Sequence, residues 1–255
     1  MTKSSEESRS KGRRPARLIE TLPPSVVRRP GRQVRAAVVA SDYIRTLIFD
    51  GILRAGDQLP IDQIAEILEV SRQPVRDAVL ELEHDGLVVA QAKSGTYVQP
   101  VDADLLREDA ELHGRLHGYA LRLIVAANYK PALDRLRAVD EAMANANSRD
   151  DLVTAANDYM YVLDQAGPYR RLRAVLHSMS RFIPPMYFVE SVEGAVELIE
   201  EARTRVLQVA FGRGPYAADR AGDAQTAMWR QCGELLIAHL DAKGVLAADP
   251  EKLIC

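Results

Sequence analysis

The chain has 255 residues, 47% hydrophobic and 27% charged, a balance that predicts a globular protein of about two domains. No apolar run approaches the roughly 20 residues that span a bilayer, and the charged N-terminus lacks the apolar segment of a signal peptide. Two distant cysteines, Cys232 and Cys255, suggest neither a disulfide framework nor a cysteine zinc site. We therefore expect a cytoplasmic protein without membrane partners.

The charge is distributed unevenly along the chain. Residues 1–36 carry a net charge of +7, which leaves −10 for the remainder of a chain whose total is −3. This pattern predicts a basic arm over residues 1–35 that is attracted to DNA at one end of the molecule. Its Arg/Gly/Pro clusters are typical of segments that lie in a minor groove, but also of a disordered tail with diffuse phosphate attraction. Both interpretations remain open.

Three helices are predicted after the arm. Apolar positions at helical spacing indicate a helix from Ala36 to Ile52 and a short helix from Ile61 to Leu68. Ser71 is a good N-cap for a third helix, in which Pro74 falls in the tolerant first turn. Arg72 and Arg76 lie four residues apart on one face of that helix, beside an apolar stripe. Two helices, a tight turn and paired arginines are typical of a helix-turn-helix.

A β-hairpin is predicted directly after the third helix. The runs from Gly86 to Ala90 and from Gly95 to Val98 are strand-like, and residues 91–94 form the turn between them. Such a hairpin would be the wing of a winged helix-turn-helix domain over residues 36–100. The alternative is an ordinary three-helix core whose arginines are solvated and do not contact DNA.

The ordered set of these signals is far more specific than the arginine pair alone. The stretch Gly51…Gly56-Asp57-Gln58-Leu59…Val70-Ser71-Arg72-Gln73-Pro74-Val75-Arg76-Asp77-Ala78…Gly95-Thr96-Tyr97-Val98 resembles the winged helix of GntR-family transcription regulators. The resemblance implies binding to double-stranded DNA at a palindromic operator, as a homodimer. The residues expected to contact DNA are Ser71, Arg72, Gln73 and Arg76 on the recognition helix, Arg45 on the first helix, and Lys93, Ser94, Gly95 and Thr96 in the wing.

The remainder of the chain, residues 101–255, is expected to be helical. Long periodic runs separated by Pro and Gly signals predict helices near 103–128, 131–146, 150–166, 169–182, 191–212 and 217–242. We therefore predict a mainly α protein, a winged helix with a small β-hairpin followed by an antiparallel bundle of six to seven helices. This pattern is similar to the FadR subfamily of GntR regulators, whose helical domain binds an effector and forms the dimer.

The resemblance implies two versions of the effector domain. In one, an aspartate and three histidines hold a divalent metal that binds a small carboxylate; the other binds long-chain acyl-CoA without metal. The positions that match the metal ligands here are Asn157, Tyr161, Ala202 and Gln231, or Cys232 after a one-residue shift. Asparagine can still offer a carbonyl oxygen, but a tyrosine phenol is a poor replacement for imidazole, so we expect no metal and no cofactor.

A different site could be built from other residues. His113 and His117 lie one helical turn apart and could bind a metal together with His177, although such a pair is more often a buried polar pair. We expect instead a metal-free pocket inside the bundle, although Met and aromatic residues at helical spacing are more often plain core. The candidate ligand-binding residues are His113, His117, Tyr119, Tyr159, Tyr161, Phe182 and Trp229.

The sequence therefore predicts a ligand-responsive transcription regulator rather than an enzyme. The expected form is a repressor that is released when a fatty acid, another lipophilic acid or an acyl-CoA enters the helical domain. A regulator of the same family that senses a small carboxylate, with or without metal, is the first alternative. An architectural DNA-binding protein without an effector is the second. A metal-dependent hydrolase is disfavoured because no HExxH or similar spacing places a general base.

Overall fold

A computed structural model describes residues 36–247, apart from residues 93, 180, 181 and 213. This part contains ten α-helices and one two-stranded antiparallel sheet, which confirms the predicted mainly α class. The basic arm and the wing residue Lys93 lie outside the described residues. No described helix has both the length and the apolar character needed to cross a membrane.

The N-terminal part forms the predicted winged helix. Its helices are α1 (Ala36–Phe49), α2 (Ile61–Ile67) and α3 (Arg72–His84), and its wing strands are β1 (Val88–Gln91) and β2 (Gly95–Val98). The strands pair in register from Val88 opposite Val98 to Gln91 opposite Gly95, and Gln58 adds an isolated bridge to Tyr97. The stripe Val75, Ala78, Val79 and Leu82 is buried, so the opposite face of α3 is exposed.

The turn between α2 and α3 contains a residue with a positive φ. Glu69 adopts a left-handed backbone with a φ of 54°, which is uncommon for a residue with a Cβ. Ser71 stands at the N-cap position of α3 with an extended backbone, but its side chain makes no capping hydrogen bond among the described residues. The predicted capping bond is therefore wrong, and the Ser71 side chain is left exposed.

Arg45, which we expected to contact DNA, is fully buried in α1. Its guanidinium donates to Ser41, forms an ion pair with Asp85 directly after α3, and approaches Glu81 at 3.5 Å. The prediction of a DNA contact by Arg45 is therefore wrong. The residue instead ties α1 to the C-terminal end of α3, where a buried guanidinium is tolerated because carboxylates neutralise it.

Within the described residues, seven helices follow the wing. They are α4 (Ala103–Ala126), α5 (Lys130–Ala144), α6 (Arg149–Asp164), α7 (Arg170–Met179), α8 (Pro185–Ser191), α9 (Ala195–Ala210) and α10 (Ala217–Ala242). Asp102 caps α4 by accepting from the Leu105 amide at 2.8 Å, and Ser148 caps α6 by accepting from the Asp151 amide at 3.1 Å. The short helix α8 lies between the predicted helices 169–182 and 191–212 and was not predicted. Proline is well tolerated at the first position of a helix, and Pro185 occupies it here.

Helices α4 and α10 form the antiparallel centre of the bundle. Gly118 and Gly222 face each other so closely that a Cβ on either would overlap the carbonyl oxygen of the other. Ion pairs Arg107–Glu234 at 2.8 Å and Arg122–Asp219 at 3.4 Å join opposite ends of the pair. This close approach fixes α4, which carries His113 and His117, against α10, which carries Trp229.

The apolar core of the winged helix continues into the helical bundle. One buried cluster joins residues of α1, α2, α3 and the wing strands with Phe182, Tyr187, Leu236 and Leu240. A second cluster fills the bundle between α4, α5, α6, α9 and α10. The two parts of the chain therefore share buried surface rather than meeting only through a linker.

We expect Arg45→Met to lower the free energy of unfolding by about 3 kcal/mol, because Asp85 would be left without its buried partner. Urea unfolding followed by circular dichroism measures the change. Arg76→Met is the matched control, since Arg76 is exposed on α3 and its replacement should leave stability nearly unchanged. Equal stability of the two variants would contradict the structural role of Arg45.

Candidate functional site

The first turns of α3 present a polar, exposed surface. Ser71, Arg72, Gln73 and Arg76 are all exposed, because the buried stripe turns the opposite side of the helix toward the core. Arg72 Nε lies 2.8 Å from Asp62 Oδ1, with both side chains about two-thirds exposed at 65% and 68%. Gln73 donates to Asp77 at 2.8 Å. Such exposed contacts cost little to exchange for another partner.

The wing tip is held by two side chains of the domain itself. Gln58 Nε2 donates to the Ser94 carbonyl at 3.0 Å, and Tyr97 OH donates to the same oxygen at 2.9 Å. Gly95 has a φ of 117°, a backbone conformation that residues with a Cβ rarely adopt, so glycine is favoured there. Ser94 and Gly95 are exposed, whereas Thr96 is only 8% exposed. The expected DNA contact by the Thr96 side chain is therefore wrong.

A cavity of about 140 Å³ lies within the helical bundle, beside the winged helix. Most of its walls are apolar, and its polar groups are concentrated on α4 and the end of α6. The described lining includes Leu106, Asp109, His113 and His117 from α4, Asn157, Tyr159, Met160 and Asp164 from α6, Phe182 and Ile183 before α8, Phe188 and Val189 on α8, Ile199 on α9, and Met228, Trp229 and Cys232 on α10. An apolar cavity of roughly 150 Å³ holds a molecule the size of benzene.

The hydrogen bonds of His117 define its protonation. Trp229 Nε1 donates to His117 Nδ1 at 3.0 Å, so Nδ1 carries no proton. The proton is on Nε2, which donates to Asp164 Oδ1 at 2.9 Å. The imidazole is therefore neutral and held at both nitrogens. Since Asp164 comes from α6, this bond also fixes α4 against α6.

His113 is oriented differently. Its Nδ1 lies 3.2 Å from Asp109 Oδ1 and 3.1 Å from the Asp109 carbonyl, so Nδ1 is the donor. The ring stacks on Trp229 with 4.8 Å between centroids and 21° between planes. His113 Nε2 makes no hydrogen bond to any other described residue, and the ring lines the cavity.

Comparison with known proteins identifies the N-terminal part. Residues 37–98 match the family described as bacterial regulatory proteins, gntR family. We refer to residues 37–98 as the GntR domain because of this similarity. The match covers the three helices and the wing, and ends before the helical bundle begins.

Relatives of known sequence extend this similarity beyond the GntR domain. The chain is 30% identical over 149 residues to an uncharacterized HTH-type transcriptional regulator of Mycobacterium tuberculosis, an alignment covering 58% of this chain and 60% of that protein. It is 23% identical over 146 residues to the uncharacterized HTH-type transcriptional regulator YdhC of Bacillus subtilis, covering 56% and 65% of the two chains. The chain thus spans less than two thirds of either relative.

Solved structures give a weaker likeness over a longer stretch. A GntR family member from Pseudomonas syringae pv. tomato is 19% identical with a TM-score of 0.47, covering 82% of this chain and 87% of that one. McbR/YncC of E. coli is 17% identical with a TM-score of 0.48, covering 83% and 98%. No functional conclusion follows from likenesses this weak.

The cavity beside the GntR domain collects most of the predicted ligand-binding residues. His113, His117, Tyr159, Phe182 and Trp229 line it. Tyr119 and Tyr161 do not; they are 44% and 47% exposed. Sequence reasoning gave Asp109 no role in ligand binding, although its spacing of four residues before His113 was a usable signal. It missed Asp164 entirely, because no local pattern connects that residue to His117.

Only two of the positions expected to match the metal ligands line the cavity, Asn157 and Cys232. Ala202 is buried in the second core cluster, and Tyr161 and Gln231 are exposed. Within the described ranges, no three His, Cys, Asp or Glu side chains are arranged to hold a metal ion. Both nitrogens of His117 already have hydrogen-bond partners, Trp229 and Asp164.

The pKa values of the two histidines are shifted in opposite directions. Complete burial lowers the pKa of His117 below its ordinary value, and the hydrogen bond and charge of Asp164 only partly oppose this. Burial also lowers the pKa of His113, but the hydrogen bonds and charge of Asp109, with the charge of Asp164, outweigh it and leave the pKa raised. Burial raises the pKa of the Cys232 thiol to about 12, so it stays protonated.

We expect His117 to weaken the protein in acid. The unfolded chain takes up a proton near pH 6.5, while the folded chain does so only at lower pH, so stability falls as the pH drops through this window. One such group lowers the free energy of unfolding by at most about 1.4 kcal/mol per pH unit. The stability difference between wild type and His117→Gln should therefore shrink from pH 7.5 to pH 5, as measured by urea unfolding. A stability difference independent of pH would contradict the conclusion that His117 is neutral in the folded protein.

Proposed function

We propose that this chain is a ligand-responsive, sequence-specific transcription regulator that binds double-stranded DNA as a homodimer, most simply as a repressor. The observation that carries the proposal is the exposed start of α3, where Arg72 and Arg76 lie on the free face of a GntR-family winged helix. The relatives named as HTH-type transcriptional regulators support the same role.

The recognition helix would read base edges in the major groove. Arg72 and Arg76 can each bind the O6 and N7 atoms of a guanine through two hydrogen bonds. Arg72 would exchange its exposed ion pair with Asp62 for this contact. Ser71, Gln73, Ser94 and Gly95 are exposed beside the arginines or at the wing tip and would contact phosphates, which set register without specifying sequence.

Two copies of the winged helix would bind the two halves of a palindromic operator. The basic arm and Lys93, outside the described residues, would add phosphate contacts to each half. We propose a homodimer because two identical DNA-binding domains usually bind DNA with two-fold symmetry.

The effector would bind in the 140 Å³ cavity. Its largely apolar walls support a lipophilic molecule. The long-chain fatty acid or acyl-CoA expected from the sequence is much larger than this volume, so it would bind only if the cavity widened. A small carboxylate is the ligand of the alternative regulator that the sequence left open.

Helix α8 offers the physical route from cavity to DNA-binding domain. Phe188 and Val189 line the cavity, and Tyr187, next to Phe188 in sequence, is buried against the end of α1. Tyr187 OH donates to the Phe49 carbonyl at 2.8 Å. A ligand that moves α8 would therefore change the contact that positions α1, and with it the spacing of the two reading heads in a dimer.

A constitutive architectural DNA-binding protein is the rival function. It would need the arm and phosphate contacts but neither an apolar cavity nor a direct link from the cavity to the GntR domain. DNase footprinting separates the two, since a regulator protects a short palindrome and an architectural protein covers DNA without preference.

We expect Arg72→Ala or Arg76→Ala to remove specific operator binding while weak, salt-sensitive binding to any DNA remains. Loss of one bidentate contact corresponds to about 1–3 kcal/mol, or roughly 5- to 150-fold in Kd. Fluorescence anisotropy with operator and scrambled duplexes measures the specific and the non-specific affinity. Arg137→Ala, an exposed arginine on α5, is the charge-matched control and should bind as wild type does. Unchanged operator affinity in both test variants would contradict the proposal.

We expect Tyr187→Phe to uncouple the cavity from DNA binding. The variant loses the hydrogen bond to Phe49, leaves that carbonyl buried without a partner, and should lose about 1–2 kcal/mol of stability. Ligand extracted with the protein from its own host, identified by native mass spectrometry, should still bind the variant but shift its operator affinity less. Tyr216→Phe is the control, since Tyr216 is 74% exposed. A full ligand response in Tyr187→Phe would exclude this route.

A further inference from the structure

The polar end of the cavity is rich in hydrogen-bond acceptors. Asp109 and Asp164 both line it, with side chains only 13% and 23% exposed. Each carboxylate uses one oxygen on a histidine, Asp109 on His113 and Asp164 on His117. A carboxylate has about four acceptor positions, so both retain capacity toward a ligand.

The compensating positive charge at this end is small. His117 is neutral, because it accepts from Trp229 and donates to Asp164. His113 can carry one proton in addition to the one it donates to Asp109, which offsets one of the two carboxylates at most. Among the described residues that line the cavity there is no lysine or arginine. The cavity therefore has a net negative polar end.

The rest of the cavity suits one flat, apolar group. The stacked rings of His113 and Trp229 form part of one wall, and Met160, Phe188 and Ile199 are among the apolar residues that line the cavity with them. The volume of about 140 Å³ is close to that of a cavity that holds benzene. A single ring with a short substituent matches both the size and the walls.

We infer that the effector is a small molecule of single-ring size with a neutral or cationic head, such as an amine or hydroxyl, that donates hydrogen bonds to Asp109 and Asp164. A carboxylate head is disfavoured, because it would enter an apolar cavity beside two carboxylates and lose its hydration without gaining a matching cation. The inference rests on the proposed function only in calling the occupant an effector.

Three matched probes test this inference on the full-length protein without DNA. Benzylamine, benzyl alcohol and benzoate share one ring and differ in the head group. At about five times Kd, benzylamine or benzyl alcohol should raise the Tm by roughly 2–4 °C, and benzoate at the same concentrations should leave it unchanged. Isothermal titration calorimetry gives the Kd values.

Two variants locate the head group. Asp164→Asn and Asp109→Asn should each weaken benzylamine binding at least tenfold and reduce the preference over benzoate. Asp219→Asn, an exposed aspartate on α10, is the control and should bind as wild type does. If either test variant fails to fold, the comparison of the three probes on the wild-type protein decides alone.

Stabilisation by benzoate equal to that by benzylamine, or binding of none of the three probes, would overturn the inference. Neither result depends on DNA, so either can occur while the arginine variants still lose operator binding. The converse result is also distinguishable. If the probes bind but Arg72→Ala and Arg76→Ala keep the operator affinity of the wild type, the proposed function is contradicted and the inference about the cavity stands.

Discussion

The buried contact between the end of α1 and helix α8 is the constraint on which the rest of the structure depends. The last carbonyls of a helix lack partners within it, and here Tyr187 of α8 supplies the hydrogen bond that the Phe49 carbonyl requires. The Phe49 ring packs against Phe182 and Tyr187, with centroids 6.2 and 5.5 Å apart. Lys243 adds an ion pair to Asp50 at 2.7 Å. The GntR domain is thereby held to the bundle by buried surface.

Helix α8 is short and depends on its neighbours for position. Arg149 of α6 donates to the Val189 carbonyl at 2.6 Å, which anchors α8 to the bundle on one side, while Tyr187 anchors it to α1 on the other. Phe188 and Val189 meet the cavity between these anchors. A segment of seven residues is too short to be stable as an isolated helix, so its packing decides its position. That dependence makes it suited to respond to the contents of the cavity.

The sequence by itself determined the parts of this protein that rest on local signals. The periodic apolar stripe of α3, the Arg72–Arg76 spacing and the glycine at the wing tip each follow from a few neighbouring residues, and the GntR domain was predicted from them. The long helices of the bundle were likewise predicted, because their periodicity and Pro/Gly breaks are local. The histidine pair His113 and His117 was found for the same reason, since one helical turn brings them to the same face.

Only the tertiary structure decided which of these side chains face solvent, a cavity or a partner. In the sequence, Arg45 resembles any helical arginine, but the fold places Asp85 against it; Thr96 resembles an accessible wing residue, but the folded domain leaves it only 8% exposed. Asp164 reaches His117 across 47 residues of sequence, so no spacing rule could connect them. Helix α8 exists because the bundle and α1 both pack on it. Burial and charge compensation are properties of elements brought together in space, and a linear pattern does not contain them.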